Sequence, residues 1–68
     1  MREEVFQSPI NMQIATEFGS VYILKNVKAI ITTMNKFYET VLLYYNEDGE
    51  LLGKVTEKFI KNVYYYKG

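Results

Sequence analysis

The sequence predicts an all-β domain, a small antiparallel barrel or half-barrel of about five or six short strands. The chain has 68 residues, enough for one domain only. Apolar residues make up 49% of it and aromatic residues 16%, too much for a disordered chain. Several stretches alternate apolar and polar side chains with the period of two that is typical of strands. We therefore expect one β domain over residues 1–68, with residues 1–9 as a flexible N-terminal segment.

The first strands follow from local patterns. Residues 10–16 alternate like a half-buried strand, and Pro9 precedes them at a position where a missing N–H is tolerated. Residues 18–20 form a predicted turn, and residues 21–24 return from it as a second strand. Lys25 and Asn26 then interrupt the apolar run, which indicates a corner or bulge.

The strongest local signal is Asn-Glu-Asp-Gly-Glu at residues 46–50. A type I turn followed by Gly49 in the left-handed region makes a three-residue hairpin loop with a bulge. The resulting register places Val41 opposite Val55 and Leu43 opposite Gly53. Because side chains alternate along strands, Leu43 and Val55 are then expected to be buried together in the core.

This hairpin belongs to a predicted three-stranded meander whose middle strand is apolar on both faces. The register that keeps the apolar faces together puts Ile31 opposite Val41, since a slip of one residue would expose them. The three strands are residues 27–33, 39–46 and 50–57, with a turn at residues 34–37 between the first two.

The C-terminal part allows two interpretations. We favour a short helical turn at residues 58–62 followed by a strand at residues 63–66, because Val, Thr, Ile and Tyr prefer strands. The alternative is an α+β fold with a helix at about 54–66, although Gly53 and Asn62 are poor helix residues. In outline, the predicted strand order resembles small SH3-like barrels, a topological analogy that implies no function.

The composition excludes several chemistries. Without cysteine or histidine the chain has no disulfide, no zinc ligand set and no hydrolase triad. Glycine spacing does not fit a phosphate-binding loop. We therefore expect no enzyme activity, no metal and no cofactor. The N-terminus lacks the apolar region of a signal peptide and no apolar run is long enough to span a membrane, so we expect a cytoplasmic protein without membrane contact.

Tyrosine is the one unusual feature. The chain has seven tyrosines, and five of them lie in the runs at residues 44–45 and 64–66. Adjacent residues on a strand point to opposite faces, so each run leaves a ring outside the core. Tyrosine is enriched at interfaces, which points to a non-enzymatic protein-binding module, a regulator or inhibitor of a larger protein that also forms a homodimer. The candidate interface residues are Tyr44, Tyr64, Tyr65 and Tyr66.

The alternative is a small barrel that binds single-stranded nucleic acid. Tyrosine rings would stack on bases, and Lys54, Lys58 and Lys61 would contact phosphates. The chain carries eight basic and eight acidic residues, and this zero net charge argues against nucleic acid as a partner.

Overall fold

The computed structural model describes residues 2–66, in which five antiparallel strands form one sheet in the order β4-β3-β2-β1-β5. The sheet curls into a half-barrel, so the predicted all-β class is confirmed. Residues 54–66 form strand, short 3₁₀ helix and strand, and the alternative C-terminal α-helix is not seen. The elements are β1 Arg2–Thr16, β2 Val21–Met34, β3 Thr40–Tyr45, β4 Leu51–Thr56, the 3₁₀ helix η1 Glu57–Phe59 and β5 Ile60–Tyr66.

The N-terminal segment that we expected to be flexible is strand from Arg2 onward, while Met1 lies outside the described residues. Arg2 pairs with Thr32 and Val5 with Ala29 at one end of β2. The register then shifts, and β1 pairs again with the first half of β2. Backbone hydrogen bonds to β2 therefore extend the domain further toward the N-terminus than side-chain alternation indicated.

Strand β2 bends at the predicted corner. Asn26 has a positive φ of 62°, and its N–H donates to Asn11 Oδ1 at 3.0 Å. This bend joins residues 21–24 and 27–33, which we predicted as separate strands, into one continuous strand that pairs with both β1 and β3.

Three hairpin loops share one hydrogen-bonding pattern. In each, the first residue's N–H donates to the fifth residue's carbonyl, and the fourth residue's N–H donates back to the first carbonyl. The fourth residue has a positive φ in every case: 84° at Gly19, 62° at Tyr38 and 78° at Gly49. The left-handed conformation predicted for Gly49 is confirmed.

The predicted register of β3 against β4 is wrong beyond its first pair. Tyr45 lies opposite Leu51, but a bulge then shifts the register by one residue, so Tyr44 lies opposite Gly53 and Leu43 opposite Lys54. Because of this extra residue in β4, Val55 shares a face with Leu42 and Tyr44 of β3 instead of with Val41 and Leu43. Leu43 is therefore only half-buried and does not join Val55 in the core.

The β2–β3 register also differs from the prediction. Ile31 lies opposite Leu43 instead of Val41, because the loop spans residues 35–39 instead of the expected 34–37. A shift of two residues leaves each side chain on its predicted face relative to the neighbouring strand.

The core lies inside the curl of the sheet. Gly53 allows close packing there, since an added Cβ would lie 3.2 Å from Leu24 Cδ2. The β5 residues Ile60 and Val63 pack against the cluster from the edge of the sheet. Its buried members are Met12, Ile14, Leu24, Val27, Ile30, Tyr44 and Val55.

Candidate interaction surface

Strand β5 forms one edge of the sheet. One hydrogen-bonding side of β5 pairs with β1, where Val63 lies opposite Ile14 and Tyr64 opposite Gln13. Within residues 2–66 no strand pairs with its other side. An edge of this kind presents unpaired N–H and carbonyl groups to another chain.

An exposed apolar surface adjoins this edge. Gln13 lies between Tyr64 on β5 and Ile23 on β2, so the three side chains form a row across the outer face of the sheet. Tyr64 is 56% exposed and Ile23 is 60% exposed. Exposed Val21 and Tyr66 lie on the same face in the two neighbouring rows, opposite Ala15 and Asn11 of β1 respectively. We call this exposed surface the β5 face; it consists of Tyr64 and Tyr66 of β5 together with Val21 and Ile23 of β2.

Tyr65 points to the opposite side of β5. It lies opposite Met12, on the face of the strand that carries Val63, which packs against the core, yet the Tyr65 side chain is exposed. The run of three tyrosines thus places rings on both faces of the edge strand.

Tyr44 does not belong to this surface. Its side chain is 1% exposed and lies in the core, which corrects our placement of it at an interface. Burial, and after it the charges of the nearby Tyr65 and Glu57, together raise the pKa of Tyr44 to about 12. The bulge in β4 explains the correction, because it places Tyr44, and not Leu43, on the same face as Val55.

The other free strand edges carry charged residues or proline. The N-terminal part of β1 has Arg2, Glu3, Glu4 and Pro9, and the β4 edge has Lys54 in its second half. Charge and proline on an edge oppose pairing with another chain. Strand β5 also carries one lysine, Lys61, but its residues 62–66 contain neither charge nor proline.

The three lysines proposed for nucleic acid binding lie on three different elements, β4, η1 and β5. The Lys58 ammonium pairs with the Glu39 carboxylate and lies 5.0 Å from the centre of the Phe59 ring. Lys54 lies on β4 opposite Leu43, and Lys61 lies on β5, at the other edge of the sheet order.

A second group of exposed aromatic side chains lies at the hairpin tips. Phe37 is 69% exposed and Tyr38 is 84% exposed at the β2–β3 tip. At the β1–β2 tip, exposed Phe18 packs on Phe59 with ring centres 4.8 Å apart. The ion pair between Lys58 and Glu39 connects the β2–β3 tip to η1, the 3₁₀ helix that also contains Phe59.

Sequence patterns did not single out these tip residues. The signal that marks the β2–β3 loop is a repeat, since Asn35 and Glu39 have the same spacing as Asn46 and Glu50. That repeat would have placed Tyr38 at the position that Gly49 occupies in the second loop.

Comparison with known proteins finds no matching family model, no matching curated protein and no matching solved structure. Across residues 2–66, no three acidic side chains are grouped so as to hold a metal ion. The same residues include no helix with the length and apolar character needed to cross a membrane.

Proposed function

We propose that this chain is a non-enzymatic protein-binding module that self-associates as a homodimer through β5. One observation carries the proposal: the unpaired edge of β5 has no charge over residues 63–66 and continues into the exposed β5 face. Pairing of two such edges would satisfy backbone groups and cover apolar surface in one step.

The exposed area supports this proposal. The accessible surface is 4935 Å², compared with roughly 4,400 Å² expected for a folded monomer of this mass. Tyr64 and Tyr66 supply rigid, amphipathic contact area of the kind enriched in interfaces. Most homo-oligomers of this kind are two-fold and bury the same surface on both subunits.

The proposal includes a larger protein that the module regulates or inhibits in the cytoplasm. Phe37 and Tyr38 are the second candidate contact, since both rings project from a loop that hydrogen bonds hold in place. A rigid, exposed aromatic side chain loses little conformational entropy on binding.

Sedimentation velocity over a micromolar concentration series tests the self-association. We expect a species of twice the 8.0 kDa chain mass, and a shift to the monomer for Tyr64→Glu. Tyr38→Glu is the matched control, because it adds the same charge at an exposed tyrosine away from β5. Circular dichroism confirms that both variants fold.

A wild-type mass of one chain throughout the series contradicts the proposal. Binding of a single-stranded oligonucleotide that weakens steeply with added salt would instead support the nucleic acid alternative.

A further inference from the structure

The tip of the β3–β4 hairpin holds an aspartate followed directly by a glycine, Asp48 and Gly49. Asp48 is the single aspartate of the chain, and no other glycine follows an aspartate or an asparagine. Both residues are exposed, and a Cβ built at Gly49 would meet nothing within 4 Å. Solvent therefore reaches this peptide bond, and glycine places no side chain in the way of its backbone nitrogen.

An aspartate side chain can react with the backbone nitrogen of the next residue. Here the Gly49 nitrogen would form a bond with Asp48 Cγ, and the carboxyl hydroxyl would leave with that nitrogen's proton as one water molecule. The product is a five-membered succinimide ring. A water molecule then opens the ring at either carbonyl, which gives back aspartate or gives isoaspartate, whose main chain runs through Cβ and Cγ. The two steps release one water and take up one water, so the residue keeps its mass.

The hydrogen bonds of the loop oppose this ring closure. The peptide between Asp48 and Gly49 must rotate until its nitrogen faces the Asp48 side chain. In the structure, the Gly49 N–H donates to the Asn46 carbonyl at 3.1 Å. Asn46 Oδ1 accepts the N–H of Asp48 at 3.0 Å and the N–H of Glu50 at 2.9 Å, which holds the peptides on both sides. The rotation therefore requires a local opening of the loop.

We propose that Asp48 is a site of isoaspartate formation, and that opening of the β3–β4 loop sets the rate, with Asn46 as the residue that holds the loop closed. This modification is independent of the proposed self-association. Isoaspartate inserts one carbon atom into the main chain between Asn46 and Glu50, so the product loses the five-residue hydrogen-bonding pattern of the loop. Modification of Asp48 thus loosens the hairpin that carries the β4 edge.

Incubation of the full chain at neutral pH tests the proposal, with isoaspartate at residue 48 measured by peptide mapping and electron-transfer fragmentation. We expect the chain denatured in guanidinium chloride to form isoaspartate about tenfold faster or more than the folded chain, because the loop's hydrogen bonds are then lost. Asp48→Glu keeps the charge but would have to close a six-membered ring, and it should show no such product at this position.

The two loop asparagines distinguish opening of one loop from unfolding of the domain. Asn46→Ala removes three side-chain hydrogen bonds from the β3–β4 loop and should speed isoaspartate formation in the folded chain about fivefold or more. Asn35→Ala is the matched control, because it removes three equivalent bonds from the β2–β3 loop and leaves residues 46–50 intact. Its rate should stay close to that of the wild type.

Equal acceleration by the two variants would overturn the proposal, because the reaction would then proceed through unfolding of the whole domain. A folded wild type that reacts as fast as the denatured chain would also overturn it, and this comparison needs no variant. Failure of the denatured chain to form isoaspartate would remove Asp48 as a modification site. We expect the purified isoaspartate form to melt below the unmodified chain, and equal melting temperatures would contradict a loosened hairpin.

Discussion

The β2–β3 and β3–β4 hairpins have the same loop with one telling difference. Each begins with an asparagine whose side-chain oxygen accepts two backbone N–H groups and whose Nδ2 donates to a glutamate Oε1 at 2.9 Å. The fourth residue is Tyr38 in the first loop and Gly49 in the second, both with positive φ. Glycine adopts this conformation freely, whereas a side chain with a Cβ is strained there.

The two loops differ in the backbone strain of their fourth residue. Both loops need a left-handed residue to close the hairpin, and Gly49 meets that need without strain. Tyr38 meets it at a cost while its ring is 84% exposed to solvent. We conclude that Gly49 serves folding, and that the Tyr38 ring is a candidate for contact with a partner.

The largest effect is expected on β3, the strand that the two hairpins share. Tyr44→Ala should destabilise the protein by about 3–5 kcal/mol, because it leaves a cavity among core residues of several strands. Leu43→Ala should cost only about 1 kcal/mol, because Leu43 is half-buried on the other face. Urea unfolding of the two variants measures the difference in the free energy of unfolding. Equal losses of stability would contradict the buried position of Tyr44 and the half-buried position of Leu43.

Substitution of the two asparagines tests whether they stabilise their loops equally. Asn35→Ala and Asn46→Ala each remove three side-chain hydrogen bonds and should each cost about 1–2 kcal/mol. Glu47→Ala is the control, an exposed loop position expected to change stability by less than about 0.5 kcal/mol. Clearly unequal losses for the two asparagines would contradict the equivalence of the loops.

The same loops show why the sequence predicted some features and not others. Gly49 was predictable because its turn chemistry is local. Alternation predicted at least one exposed ring at residues 64–66, but not the exposure of Tyr65, which lies on the same face of β5 as Val63. The inward position of Tyr44 was not predictable, since one bulged residue in β4 shifts the register by one and puts Tyr44 on the same face as Val55. The contact of Lys58 with Glu39 joins elements distant in sequence, which no local pattern reveals.

Exchange of the fourth residue addresses the strain itself. Gly49→Tyr should destabilise the protein by about 1 kcal/mol or more, because it introduces a Cβ at a φ of 78°. Tyr38→Gly should raise stability by about 1 kcal/mol or less, because the same strain is relieved while glycine enlarges the unfolded ensemble. Thermal unfolding of both variants gives the two signs. A loss of stability in Tyr38→Gly would mean that the ring supports the fold.

The smallest effect concerns the glutamates that close the loops, since only the β2–β3 loop has the contact with Lys58. The Lys58 ammonium, and after it the Asn35 amide, hold the pKa of Glu39 below its ordinary value of 4.5. A lowered folded-state pKa stabilises the protein above the unfolded value, and this contribution is lost as the pH falls through the folded pKa. Lys58→Gln should therefore raise the pKa of Glu39 in an NMR titration of its side-chain carboxyl carbon. The melting-temperature difference between wild type and Lys58→Gln should shrink as the pH falls below 4.5.

Lys36→Gln removes the same charge from the loop itself and is the control. An equal change in the Glu39 titration with Lys36→Gln would assign the effect to net charge and not to the contact that ties this hairpin to η1.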